Sequence, residues 1–303
     1  MTVLETIQRS VDFLAKKGVE SPRLQVELLL AHVLKLPRMR LYLDFERVLT
    51  EPELSALREL VRRRGLREPL QHILGTVCFC GLDLAVDSRV LIPRPETEML
   101  AESGWRQLQA LAGDDSALAL REVPPGESAK NHPPSALDFG TGSGCIAIAL
   151  AVNCPAAHVT ALDISEDALA VARANAAHHH LDSRIQFFAG NGFAALPAGS
   201  KFNMIVANPP YIPEAEIAGL EPEVRDHDPR NALDGGADGL DFYRRLASEA
   251  PAFLIGDGQI LLEFGDGQAD AVKSIFETQK WIVEGVQPDY TRRLRFLTAK
   301  RAA

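Results

Sequence analysis

The tetrapeptide Asn208-Pro209-Pro210-Tyr211 carries groups suited to one chemical task. It follows the apolar run Phe202-Asn203-Met204-Ile205-Val206-Ala207, which reads as a buried parallel strand. Proline cannot join a central strand, so the strand must end at Asn208. Ligands of an open α/β sheet bind beyond the ends of strands. A planar NH2 group conjugated to a carbonyl or an aromatic ring is a poor nucleophile that carries two N–H donors. The Asn208 side-chain oxygen can accept from one and the Pro209 carbonyl from the other. Two acceptors fix the nitrogen's orientation and favour positive charge building up on it, and Tyr211 can lie flat against the planar group. The same four residues also fit a strand-terminating turn, because Asn-Pro is a common turn starter.

A second constellation precedes it. Ser135-Ala136-Leu137-Asp138-Phe139 reads as a short strand, Gly140-Thr141-Gly142-Ser143-Gly144 as a tight turn, and residues 145–152 as an apolar helix. Glycines allow a tight turn and close approach of backbone to a ligand. The spacing is G-x-G-x-G rather than the dinucleotide G-x-G-x-x-G. A second strand, His158-Val159-Thr160-Ala161-Leu162-Asp163, ends in an acid 23 residues after Gly140. An acid there is the expected acceptor for the two hydroxyls of an adenosine ribose. Ser165 can cap the following helix. A third strand, residues 184–188, leads to Gly190-Asn191-Gly192-Phe193.

The elements that must position these residues form two regions. The chain has 303 residues, enough for two domains with a sizeable core. Its net charge of -9 argues against a protein whose main task is gripping nucleic acid. The first residues lack a basic flank followed by an apolar core, so no signal peptide is expected. No apolar run approaches membrane-spanning length. Cys78, Cys80, Cys145 and Cys154 form no zinc-like set and read as core or surface thiols, which suits a reducing cytoplasm.

Residues 1–75 read as a small helical bundle with capping boxes at Thr2-x-x-Glu5 and Thr50-Glu51-Pro52-Glu53. Arg62-Arg63-Arg64 falls late in its third long helix, where cations favour the dipole; a contact for an acidic or RNA partner is the sharper reading. Residues 76–98 form a connector that opens as a β-hairpin and ends in Ile92-Pro93-Arg94-Pro95-Glu96-Thr97-Glu98. That stretch is either a rigid linker and helix start or a rim that places Arg94, Glu96 and Thr97 at the cleft. Residues 99–303 form the α/β domain, with a polar, Pro- and Gly-rich insertion over 112–135 read as mobile. His178-His179-His180 ends a helix without evident metal-ligand partners. Residues 212–237 form a long loop of the kind used as a lid or binding loop. The sheet finishes with strands at 259–264, 281–286 and 294–297, the last two antiparallel.

In this order, Gly140-Thr141-Gly142-Ser143-Gly144, Asp163 and Asn208-Pro209-Pro210-Tyr211 resemble a class I S-adenosylmethionine-dependent methyltransferase. The Asn-Pro-Pro-Tyr variant is shared by glutamine N5-methyltransferases and by amino-methyltransferases of adenine or guanine. Arg67-Glu68-Pro69-Leu70-Gln71-His72-Ile73-Leu74-Gly75, residues 91–98 and Ala232-Leu233-Asp234-Gly235-Gly236-Ala237-Asp238-Gly239-Leu240 narrow the resemblance to the bacterial peptide chain release factor glutamine methyltransferase family. It covers nearly the whole chain outside the insertion.

The resemblance implies a doubly wound, seven-stranded, mostly parallel sheet behind a helical domain that helps grip the release factor. It implies methyl transfer from S-adenosylmethionine, leaving S-adenosylhomocysteine, to the glutamine of the factor's Gly-Gly-Gln motif, without metal, membrane or a required nucleic acid. Asn208 and the Pro209 carbonyl would hold the amide and Tyr211 would pack on it. Asp138 would favour the cofactor's cationic amino group, Asp163 its ribose, and Asn191-Gly192 would flank its adenine. The family commonly has an acidic residue followed by a bulky one at those last two positions, and a Glu and an aromatic residue where this chain has Cys78 and Cys80. The rival readings are a ribosomal-protein glutamine methyltransferase and a DNA or RNA base amino-methyltransferase. The acidic balance and the N-terminal helices speak against the latter.

Overall fold

The computed structural model describes residues 1–113 and 133–301. Most of the insertion expected over 112–135 lies outside the described residues. The chain divides into two compact units, Met1–Thr76 with Gly219–Asp228, and Val77–Ala218 with Pro229–Ala303.

The first unit is helical: α1 (Val3–Lys16), α2 (Pro22–Leu34), α3 (Glu51–Gly65) and the short α4 (Leu70–Leu74). Thr2 and Glu5 form the expected capping box, each closing on the other's backbone N–H. Thr50 N donates to Glu53 Oε2 at 2.8 Å at the start of α3. Val3, Ile7, Leu14, Leu29, Leu30, Leu41 and Leu57 make its core. Gly75 ends α4 with φ +76, a left-handed value that glycine adopts without strain. The arginine run is paired within this chain. Arg62 meets Glu59, Arg63 meets Glu68, and Arg64 Nη2 donates to Glu223 Oε1 at 2.5 Å. Arg67 adds two bonds to Glu223, each 2.6 Å. Glu223 lies in the short helix α8 (Pro222–Arg225), so the acidic partner of Arg64 is the middle of the chain's own long loop.

In the second unit, β1 (Thr76–Phe79) and β2 (Leu82–Ala85) form the expected hairpin, and α5 (Pro95–Ala112) leads into the main domain. β3 (Ser135–Phe139), α6 (Cys145–Asn153), β4 (His158–Asp163), α7 (Glu166–His178), β5 (Ile185–Ala189) and β6 (Phe202–Ala207) follow. After the long loop come α9 (Asp241–Glu249), β7 (Leu254–Glu263), α10 (Ala269–Thr278), β8 (Trp281–Pro288) and β9 (Leu294–Arg301).

The seven strands lie in the order β5-β4-β3-β6-β7-β9-β8. β3 to β7 run parallel, and β9 is antiparallel to both β7 and β8. Successive strands step from β3 outward to β5, and the chain then returns to the other side of β3. The sheet's switch point therefore lies between β3 and β6. In register, Phe139 pairs with both Leu162 and Ala207. The Gly140 turn, Asp163 and Asn208 consequently leave the sheet side by side, where an open parallel sheet forms its crevice.

Each face of the sheet is covered. Leu100, Leu108, Ile148 and Leu150 pack on one side; Tyr243, Leu246, Val272 and Phe276 pack on the other. Each such side chain contributes roughly 1.5–3 kcal/mol on burial. Gly104 lets α5 approach closely: a Cβ there would stand 2.8 Å from Leu150 Cδ2. β7 starts five residues before the strand expected from Gln259. The strand runs through Gly256-Asp257-Gly258 with a register shift against β6 between Phe202 and Met204. Among the described residues no helix is long and apolar enough to cross a membrane.

Candidate active site

The ends of β3, β4 and β6 border a cleft of about 340 Å³. Gly140 and Gly142 form one wall with φ +77 and +53. No atom lies within 4 Å of where a Cβ would sit at either position, so their missing side chains open space into the cleft. Gly144 has a different task. At φ +82, its absent Cβ would lie 3.1 Å from Ala172 Cβ, so glycine lets α6 begin against α7.

Asp163 lines the cleft and orders the glycine turn. Its Oδ2 accepts from Gly142 N at 2.8 Å and its Oδ1 from Ser165 N at 2.9 Å. Burial raises its pKa, while the backbone donors of Ser165 and Gly142 favour the ionised form. Each oxygen keeps a further lone pair for a ligand hydroxyl.

Asp138, expected to meet the cofactor's amino group, lies behind the turn and is fully buried. Its Oδ2 accepts from Thr141 Oγ1 at 2.6 Å and from Ala147 N at 3.0 Å, which ties the turn to the first turns of α6. Burial pushes this carboxyl up to about 7 against those two hydrogen bonds. Thr141 and Ser143 are buried with it, and neither lines the cleft. Thr141 ties the turn to Asp138 through its hydroxyl.

Asn175, which sequence reasoning passed over as a helix residue, holds the turn from α7. Its Nδ2 donates to Ser143 O at 2.9 Å and to Ala85 O at 3.0 Å, and its Oδ1 accepts from Ala85 N at 2.7 Å. One carboxamide thus joins the glycine turn to β2.

Asn191 and Gly192 also line the cleft. Arg245 of α9 donates to Asn191 Oδ1 at 2.5 Å and to Asn191 O at 2.7 Å. A Cβ on Gly192 would lie 2.2 Å from Arg245 Nη2, so the guanidinium occupies the volume that a bulky residue would take. Nothing local in the sequence links positions separated by 53 residues of intervening chain.

Asn208, Pro209 and Pro210 also line the cleft. Asn208 Nδ2 donates to Thr97 Oγ1 at 3.1 Å, and Thr97 Oγ1 donates to Glu263 Oε2 at 2.7 Å. Asn208 Oδ1 has no hydrogen-bond partner among the described residues. The Tyr211 ring, expected to lie on the planar substrate, packs instead against the core under α9 and α10 and does not line the cleft. Its backbone is drawn there. Gln268 Nε2 donates to Tyr211 O at 2.9 Å, and Cβ atoms on Gly235 and Gly239 would stand 2.8 Å from Tyr211 Cα and 2.4 Å from Tyr211 O. These two glycines let the end of the long loop close onto the tetrapeptide backbone. Arg94 and Glu96, expected at the rim, are half-buried beside this site but outside the cleft lining; their neighbour Thr97 makes the contact.

Residues 5–75 match the PrmC N-terminal domain family, and residues 119–219 match the methyltransferase small domain family. A protein of Geobacter sulfurreducens named release factor glutamine methyltransferase is 44% identical over 275 residues, covering 91% of this chain and 88% of its own. One of the same name from Chlorobaculum tepidum is 45% identical over 273 residues, covering 89% and 87%. Among solved structures, the hMettl16 catalytic domain in complex with the MAT2A 3'UTR hairpin 1 shares the fold, with a TM-score of 0.52 at 15% identity over 83% of this chain and 81% of that one. With identity of this level running through both the helical unit and the cleft-bearing sheet, the chain belongs to the release factor glutamine methyltransferase family.

Proposed function

We propose that this protein transfers the methyl group of S-adenosylmethionine to the side-chain amide nitrogen, N5, of the glutamine in the Gly-Gly-Gln motif of peptide chain release factors. The observation that carries the reading is the Asn208 carboxamide, which lines the same cleft as Gly140 and Gly142 and whose NH2 is held by Thr97, so that its oxygen is left without a partner among the described residues. Family membership gives the substrate, and the net charge of -9 favours a protein over a nucleic acid. The reading places the enzyme in the cytoplasm, with the helical unit, Met1–Thr76 and Gly219–Asp228, as the part that recognises the whole factor.

The cleft fits the cofactor. Gly140 and Gly142 leave a cradle where side chains would stand, and Asp163 borders it with spare lone pairs. Gly142, Asp163 and Asn191 would hold the nucleoside. The bound cofactor supplies an electrophilic methyl on a good leaving group.

Protein residues supply orientation. Asn208 Oδ1 and Pro209 O accept the two N–H bonds of the substrate amide, which fixes its plane and direction. The same acceptors favour the positive charge that grows on nitrogen as it attacks. Pro209 and Pro210 carry no N–H, so these positions offer no backbone donor to compete with the substrate. The rings also keep the backbone stiff where its carbonyl must point.

Single-turnover transfer from labelled cofactor to a release factor tests the reading, with a factor lacking the motif glutamine as control. Asn208→Ala should slow transfer by roughly a hundredfold or more, equivalent to about 2–4 kcal/mol in the barrier, while cofactor binding survives. Near wild-type transfer by a folded Asn208→Ala enzyme would refute it.

A further inference from the structure

We propose that Thr97 and Glu263 are positioning residues which determine that the oxygen, not the NH2, of Asn208 faces the substrate. The inference rests on the amide-methylation reading. A carboxamide has nearly the same shape in either orientation but opposite hydrogen-bonding character. With its NH2 turned to the cleft, Asn208 would set donor against donor at the reactive amide. Some partner behind Asn208 must therefore choose.

Three elements meet to make that choice. Thr97 lies in the first turn of α5, Asn208 follows β6, and Glu263 is the last residue of β7. Thr97 and Glu263 are each 2% exposed. An ionised carboxylate only accepts hydrogen bonds, so the single Thr97 hydroxyl hydrogen goes to Glu263 Oε2, 2.7 Å away. The lone pairs of Thr97 Oγ1 then face Asn208, and only the NH2 end can meet them, at 3.1 Å. The Asn208 oxygen is left for the cleft.

The chain of bonds can reverse. A protonated Glu263 can donate to Thr97 Oγ1, Thr97 then donates to Asn208, and the carboxamide turns its NH2 outward. The groups around Glu263 are Arg295 on β9, Arg94 and Glu96 at the start of α5, and the hydroxyls of Tyr211 and Tyr243. Burial pushes the Glu263 carboxyl up to about 7, against the Thr97 hydrogen bond and the Arg295 charge. Ionised Glu263 gives the productive orientation, so the transfer step should rise with pH through that range and level off above it.

Two measurements test this. The first is the side-chain 15N–1H signal of Asn208, assigned by its loss in Asn208→Ala, followed from about pH 5.5 to about pH 8.5 in the full-length protein without release factor. It should titrate in the wild type and in Thr97→Ser, and stay flat in Glu263→Gln and Thr97→Val. The second is single-turnover methylation of release factor over the same range. The wild type should lose about tenfold per pH unit below the Glu263 pKa. Glu263→Gln should lose that acid limb, which separates Glu263 from Asp138, a second carboxyl that burial pushes up to about 7. Thr97→Val should fall about tenfold or more in rate with cofactor Kd unchanged, and Thr97→Ser should restore it. A flat wild-type Asn208 signal, or an acid limb that persists in Glu263→Gln, would overturn the proposal. An Asn208 signal that titrates in an enzyme unable to methylate the factor at any pH would uphold the network and overturn the methylation reading. Should Thr97→Val fail to fold, Glu263→Gln and Thr97→Ser carry both measurements.

Discussion

Replacing Asn175 with alanine removes three hydrogen bonds from one buried side chain. Asn175 is 1% exposed. The change leaves Ser143 O without its side-chain donor in the buried floor of the glycine turn, and leaves Ala85 N and Ala85 O without their side-chain partner at the exposed end of β2. An orphaned buried carbonyl costs about 1–3 kcal/mol, and each bond lost near solvent about 0.5–1.5 kcal/mol. The better helix propensity of alanine within α7 returns roughly 0.5 kcal/mol. The sum is a loss of about 2–5 kcal/mol, which for a domain of this size lowers Tm by roughly 5–15 °C.

The loss has a functional side, because Ser143 lies in the turn that carries Gly142 and Gly144. Cofactor affinity should weaken along with stability. Asn175→Asp should do no better than alanine: it keeps an acceptor for Ala85 N but turns a carboxylate toward two carbonyl oxygens. Thermal melts with and without S-adenosylmethionine, together with calorimetric Kd values, check both effects. An Asn175→Ala protein that melts within about 2 °C of wild type and binds cofactor equally would refute the reasoning.

Two further outcomes are expected. Asp163→Ala removes the proposed ribose acceptor and the partner of Gly142 N together, so cofactor Kd should rise by about a hundredfold, and equal calorimetric affinities would remove Asp163 from the site. For Glu223, burial opposes ionisation, but hydrogen bonds from Arg67 and Arg64 outweigh it and hold the carboxyl down to about 2. Its contribution is present above the ordinary value of 4.5 and is lost as pH falls through that value toward about 2. Denaturant melts across this window should therefore show a smaller acid destabilisation in Glu223→Gln than in wild type; identical pH dependence would refute the pairing.

Local pattern made much of the molecule legible. Apolar runs of strand length, glycines between a strand and a helix, and prolines at a strand end each constrain the backbone within a few residues. The chain's order of strand, Gly140–Gly144 turn, Asp163 and Asn208 therefore gave the fold class and the cleft. The parallel register of β3 with β4 and β6 then carries those three points to one end of the sheet.

Tertiary structure decided what stands behind them. Thr97, Asn208 and Glu263 are far apart in sequence and meet only because α5 begins beside the ends of β6 and β7. Asn175 reads as an ordinary polar helix residue until α7 packs against Ser143 and Ala85. Asp138 is an acid at a strand end like Asp163, yet the first turns of α6 bury it while Asp163 stays at the cleft. Tyr211 follows two cleft residues, but Gly235, Gly239 and Gln268 draw its backbone aside and its ring enters the core. Arg245 fills the notch at Gly192 from another helix. Periodicity and turn chemistry report the neighbours a residue has along the chain. Which way a buried carboxamide faces, or whether an acid meets solvent or a helix, depends on partners that only packing brings within hydrogen-bond distance.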